Sequence, residues 1–210
     1  TLLLPLLIRH NIAITQKRSS VKILIEKPIS SLSIDEYNWL VKTALHYKIF
    51  DESISKPIIT KEILKELLNR IDIIPVSLAL AQSSLETGWG TSRFSIDGNA
   101  LFGQWTWKTN KGIRPKQGAP GTKHSVLRFS RLAESIEDYT HNLNSSSHYR
   151  SFRSKRSALR EAGYPIDIWA QNLVEELKKY SSNSEHYIST IKSIIRENQL
   201  TDFDNYSLSP

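Results

Sequence analysis

Glu86 sits in Ala81-Gln82-Ser83-Ser84-Leu85-Glu86-Thr87-Gly88-Trp89-Gly90, and Gly98-Asn99-Ala100-Leu101-Phe102-Gly103 follows within ten residues. This places one carboxylic acid at the end of a predicted helix, with glycine-aromatic turns directly after it. Pro75 fits the first helical position, and Val76, Ala79, Ser83 and Glu86 fall on one face at spacings of three and four. Gly88 supplies the stop. The C-terminal end of a helix disfavours a nearby anion, and cover from Trp89 and Phe102 would disfavour it further. A glutamic acid kept protonated near neutral pH can donate a proton to a leaving-group oxygen, as glycoside hydrolysis requires. The competing reading is an ordinary surface glutamate that ends a core helix, and spacing alone does not separate the two.

Aromatic residues form a second constellation. Trp89, Phe102, Trp105, Trp107, Tyr139, Tyr149, Tyr180 and Tyr187 lie on segments that could converge on one cleft. Aromatic faces pack on sugar rings, while phenol and indole groups bond to hydroxyls. Trp89 and Tyr139 stand at helical packing positions and read more readily as core; Trp105, Trp107 and Tyr187 read as sugar contacts. Other chemistries find no support. The histidines show no metal-ligand spacing, and there is no His-Glu-x-x-His, Gly-x-Ser-x-Gly or phosphate loop. No cofactor and no metal are expected.

The paired segments resemble the glucosaminidase domain of glycoside hydrolase family 73, whose signature runs Ala-Gln-x-x-x-Glu-Ser/Thr-x-Trp-Gly and then Asn-x-Leu-Phe-Gly. Gly103-Gln104-Trp105 continues the second motif as in the bacterial Bax-type branch of that family. Phe129-Ser130, Tyr139 with Asn142-Leu143-Asn144, and Tyr149 resemble the branch's next block. Lys179-Tyr180-Ser181, Tyr187 and Ile191 to Asn198 resemble its last helix, and Leu3-Leu4-Pro5-Leu6 with Asn11-Ile12 resembles its lead-in. The resemblance implies a lysozyme-like fold and an endo-β-N-acetylglucosaminidase acting on peptidoglycan outside the cytoplasm. Glu86 falls on the family's general acid, and Tyr187 matches best the tyrosine that lies near it, ahead of Tyr164. Asn99 and Gln104 join Trp89, Phe102, Trp105, Trp107, Tyr139 and Tyr187 as expected substrate contacts. Many family members carry a second glutamate in the β-lobe. Here no Asp or Glu occurs between Asp97 and Glu134, and Ser125 stands near the aligned place. Three alternatives stay open: the substrate's acetamido group as nucleophile, Asp97 as auxiliary acid, or a weak hydrolase serving as a wall-binding module.

A chain of 210 residues can bury one good core plus an extension. Cysteine is absent, so no disulfide framework is available. The apolar opening stops at Arg9-His10, too short to span a membrane, and a chain that starts at Thr1 and contains no methionine is expected to lack its natural start. The formal net charge is +7. From Gly98 to Ala133 there is no acidic residue, while Lys108, Lys111, Arg114, Lys116, Lys123, Arg128 and Arg131 occur there. A second basic run holds Arg150, Arg153, Lys155, Arg156 and Arg160. Such runs attract polyanions or are simply solvated; no nucleic-acid-binding motif accompanies them, so no nucleic-acid partner is expected. A monomer is expected.

The pattern divides the chain into a helical extension over 1–56, a catalytic domain over 57–200 and a polar tail over 201–210 that reads as frayed. Tyr37, Leu40, Val41 and Leu45 predict one helix of the extension; Ile63, Leu64, Leu67 and Leu68 predict the first of the domain. Alternation at Trp105-Thr106-Trp107 and over Ser125 to Phe129, with a turn at Asn110-Lys111-Gly112 and a loop over Pro115 to Gly121, predicts a small β-lobe. Leu132, Ile136, Tyr139 and Leu143 predict a helix. Asp167 is expected to cap a further one with Trp169, Leu173, Leu177 and Tyr180 on one face, and Ser184 to open the last. The expected class is α+β, mainly α, with a lysozyme-like domain.

Overall fold

The computed structural model describes residues 2–51, 53–106, 109–114, 125–178, 180 and 183–206. Among the described residues the chain is mainly α with one small sheet, a lysozyme-like α+β arrangement. Helix α1 (Leu3–Glu26) accepts Pro5 because its first turn needs no amide donor there. Ser33 and Glu36 close a reciprocal capping box that starts α2 (Ile34–His46), and the Thr60 side chain caps α3 (Lys61–Arg70). Then come α4 (Val76–Thr87), the short α5 (Arg93–Gly98), α6 (Leu132–Ser145), α7 (Arg150–Glu161), α8 (Trp169–Leu173) and α9 (Ser184–Glu197).

The sheet follows the expected β-lobe. Strands β1 (Trp105–Thr106) and β2 (Gly112–Ile113) flank β3 (Ser125–Leu127), both antiparallel to it, with Trp105 opposite Val126 and Gly112 opposite Leu127. Gly112 is required by close approach: a Cβ there would meet the Ser125 Cβ at 2.5 Å. Trp107, Lys108, the Pro115 to Gly121 loop, Lys123, Lys179 and Ser181 lie outside the described residues.

Two apolar clusters carry the packing. One gathers α4, α6, α7, α8 and α9 around Phe102, Tyr139, Phe152 and Trp169, and the other gathers the extension and α3 around Leu40, Leu64 and Leu67. Helix α1 belongs to both, with Leu7 and Ile8 in the first and Ile14, Val21 and Leu24 in the second. The Asn11 amide donates to the Ile74 carbonyl at 2.8 Å, fixing α1 against the entry to α4.

Three expectations are corrected. Helix α7 occupies the second basic run, where counting charges concealed helical periodicity: Phe152, Arg153, Arg156 and Leu159 are its buried side. Asp167 does not cap; it lies within a 3₁₀ turn over Ile166–Ile168, and α8 starts without a side-chain cap. The segment read as a frayed tail begins with a 3₁₀ helix, Leu200–Asn205, with Phe203 packed on the main core.

Asp204 in that segment accepts from the Ser77 amide at 2.9 Å and the Ser77 hydroxyl at 2.6 Å, so it caps α4, whose own N-cap residue is Pro75. Burial pushes the Asp204 carboxyl up to about 6, against the opposing Ser77 bonds. A raised folded value means that its stabilising contribution is complete below the unfolded value and is lost as pH rises through about 6. Asp204→Asn keeps an acceptor and removes the charge, so its melting temperature relative to wild type should climb as pH rises from 4 to 8. Asp204→Ala strands two donors on buried Ser77 and should cost about 1–2 kcal/mol, read by denaturant melts.

Candidate active site

Helix α4 brings Gln82 and Glu86 to one side, four residues apart, and ends at Gly88 in the left-handed region. Trp89 and Gly90 are left-handed as well. Thr87 holds this turn: its hydroxyl donates to the Ser83 carbonyl at 2.6 Å and accepts from the Gly90 amide at 2.8 Å. The Trp89 amide closes onto the Ser84 carbonyl at 2.8 Å. The acid therefore stands at the last turn of a helix whose exit is pinned from below.

Gly103 presses against the acid. With φ at +63°, a Cβ at that position would meet the Glu86 Oε2 at 2.9 Å, so a larger residue would be strained in its backbone and would push the carboxylate aside. Behind it, Phe102 and Tyr139 are each 1% exposed and stack at 3.9 Å. The Tyr139 hydroxyl donates to the Gln82 Oε1 at 2.6 Å, and the Gln82 Nε2 donates to the Tyr187 hydroxyl at 2.8 Å. Tyr187 neighbours Glu86: its hydroxyl favours the carboxylate, and the carboxylate charge raises the phenol. Tyr180 stacks on Tyr187 at 5.6 Å and donates its hydroxyl to the Phe102 carbonyl at 2.8 Å.

Burial raises the Glu86 carboxyl above the ordinary glutamate range, and the Tyr187 hydrogen bond opposes it. The surrounding phenols are raised too. Burial pushes Tyr149 up to about 12, with the nearby Glu86 charge adding to it, and burial followed by the same charge raises Tyr187. Glu86 is thus a carboxyl poised to hold a proton, ringed by phenols that stay neutral.

The other expected residues divide. Trp89, read as core, is 64% exposed because three successive left-handed residues carry it out of the helix line. It therefore cannot cover Glu86 as expected; Phe102 lies at the acid's side of the core. Trp105 is 57% exposed on β1. Phe102 and Tyr139, expected at the substrate, are buried behind the acid. Asn99 ends α5 in the left-handed region and donates its amide to the Phe129 carbonyl at 3.0 Å, which ties α5 to the strand exit. Gln104 turns toward α6 and donates to the Ser135 carbonyl at 3.1 Å. Asp97 is exposed on α5 and lines a depression with Asn99, Lys111 and Arg128 that does not include Glu86. Ser125 is buried in the sheet. Sequence reasoning missed Gln82, Thr87 and Gly103 as parts of the site. The i, i+4 step from Gln82 to Glu86 was the available signal.

Among the described residues no group of His, Cys, Asp or Glu could hold a metal ion, and no helix is long and apolar enough to cross a membrane. The family model described as mannosyl-glycoprotein endo-beta-N-acetylglucosaminidase matches residues 61–200. The chain is 36% identical over 133 residues to Protein bax of Escherichia coli (strain K12), an alignment covering 63% of this chain and 46% of that protein. The chain thus spans about half the length of that relative. No solved structure matches. With its helix-end acid pressed by a glycine and flanked by a tyrosine, and matched over these residues, the chain belongs to the glucosaminidase family of glycoside hydrolases, in its Bax-type branch.

Proposed function

We propose that the protein is an endo-β-N-acetylglucosaminidase that hydrolyses the glycan strands of peptidoglycan outside the cytoplasm, acting as a monomer with Glu86 as general acid. The observation that carries this reading is the raised, partly buried Glu86 carboxyl at the end of α4, flanked by Tyr187 and fitted against Gly103. Glu86 protonates the glycosidic oxygen as the bond to the anomeric carbon breaks. The carbonyl oxygen of the substrate's own acetamido group closes on that carbon, giving an oxazolinium ring. Water then opens the ring, with the Glu86 carboxylate taking its proton. This route needs no second carboxylate, in keeping with a chain that has none between Asp97 and Glu134. Trp89, just past the acid in sequence, and Trp105 on β1 are exposed and offer faces for sugar rings.

The same missing carboxylate favours a second reading, a lytic transglycosylase, in which a muramyl 6-hydroxyl attacks instead of water. Digestion of purified sacculi followed by mass spectrometry separates the two: reducing N-acetylglucosamine ends for the hydrolase, anhydromuramyl ends for the transglycosylase. Binding without any cleavage would make the protein a glycan-binding module. In the acetamido route, Asp97→Asn retains most turnover and a thiazoline analogue of N-acetylglucosamine inhibits; loss of turnover in that variant would make Asp97 the auxiliary acid.

A further inference from the structure

Gln82 has a place in the site that its distance from any substrate conceals. Its side chain is fully covered and spans two phenols, accepting from Tyr139 on α6 and donating to Tyr187 on α9. An amide has one accepting end and one donating end, so it transmits direction. The Tyr139 hydroxyl is buried and gives its proton to the Gln82 Oε1. That leaves Nε2 for Tyr187, whose oxygen is then occupied by an incoming proton, so that its own proton is left for the neighbouring Glu86, whose charge this phenol feels. Turned the other way, the amide would strand the Tyr139 proton and draw the Tyr187 proton off Glu86. Buried donors without partners are costly, so the first direction is enforced.

We infer that Gln82 is a positioning residue: clamped by Tyr139, its amide aims the Tyr187 hydroxyl proton at one oxygen of Glu86 and leaves the acid's transferable proton on the other. The inference deepens the glycosidase reading and rests on it for its meaning in catalysis. Its geometric content concerns the protonation of Glu86 alone. Among the described residues, the titratable groups that act on Glu86 or feel its charge are Tyr139 from α6, Tyr149 and Tyr180 from the segments before α7 and α9, and Tyr187 from α9. All are phenols, so no second charge competes for the effect.

The test is a carbon-13 NMR titration of the Glu86 carboxyl in the full chain, assigned by its loss in Glu86→Gln. Tyr187→Phe removes a donor to the carboxylate and should raise the proton affinity of Glu86 roughly tenfold, the worth of one hydrogen bond to a charged group. Tyr139→Phe frees the amide to turn and should move it in the same direction by several-fold. In the Tyr187→Phe background, Tyr139→Phe should add nothing, because its influence passes through Tyr187. Gln82→Leu provides a second route to the same upward movement if Tyr139→Phe fails to fold. Additive shifts, or a folded Tyr139→Phe or Gln82→Leu variant with the wild-type titration, would overturn the inference. The basic limb of the pH–rate profile should follow the titration. A titration that moves as expected in a protein that cleaves no wall glycan would support the role of Gln82 while removing the glycosidase reading.

Discussion

Glu86→Gln should keep the fold and lose turnover by about 10²–10⁴-fold, the range over which a positioned proton donor contributes. The amide occupies nearly the same volume, meets Gly103 with the same approach, and lacks only the proton to give. Its stability should move the other way. Burial raises the Glu86 carboxyl, so the wild type's stabilising contribution from this group is complete at low pH and is lost as pH rises through the raised folded value. Glutamine has no charge to desolvate. The melting temperature of the variant should therefore equal or exceed that of wild type at neutral pH, and the difference should shrink in acid. Thermal melts over a pH series check the stability; sacculus digestion with product analysis checks turnover. A variant that digests like wild type would remove Glu86 from the chemistry, and one that melts far lower at neutral pH would make it a structural residue.

How far the site was legible depends on the kind of signal. Glu86 and Gly88 are read in one dimension, because a helix end and its glycine stop are neighbours in sequence. The β-lobe announced itself through alternation at Trp105-Thr106 and Ser125 to Leu127. The relay behind the acid did not, because Gln82, Tyr139 and Tyr187 meet only through tertiary packing of α4, α6 and α9. Trp89 was misread because its helical spacing to earlier residues ceases to hold once the backbone turns left-handed. Asp204 was misread because a cap supplied from 127 residues away leaves no local mark at either end. The second basic run was misread most fully. Charge composition says nothing about burial, whereas the spacing of Phe152, Arg156 and Leu159 already contained a helix with arginine on its inner side.

Arg156 is accordingly the residue outside the active site whose loss should cost most. It is 0% exposed. Its Nη1 donates to the Asn144 Oδ1 at 2.7 Å and to the Asp72 and Ile73 carbonyls, and its Nη2 donates to the Asn69 and Arg70 carbonyls at 3.0 and 3.3 Å. The last two lie in the final turn of α3, where carbonyls have no helical partners. Asp72, itself buried, faces Arg156, Arg18 and Arg160, so the guanidinium also offsets a carboxylate that could not otherwise be kept dry. Burial lowers Arg156 to about 10, which leaves it charged at neutral pH. Arg156→Leu fills the volume but takes a donor from five acceptors. Of these only the Asp72 and Arg70 carbonyls keep another, from the Asn144 side-chain amide and the Asp72 backbone amide. Breaking a buried charge arrangement from one side costs about 3–5 kcal/mol. That is a large share of the roughly 5–15 kcal/mol of a typical domain, and should lower the melting temperature by on the order of 10 °C. Arg156→Lys should recover only part, since an ammonium cannot reach carbonyls on both sides of the fork. Because the group is buried, the loss should be nearly the same at low and high salt, unlike an exposed ion pair. A folded Arg156→Leu protein with wild-type melting would return this arginine to the solvated basic surface that charge counting suggested.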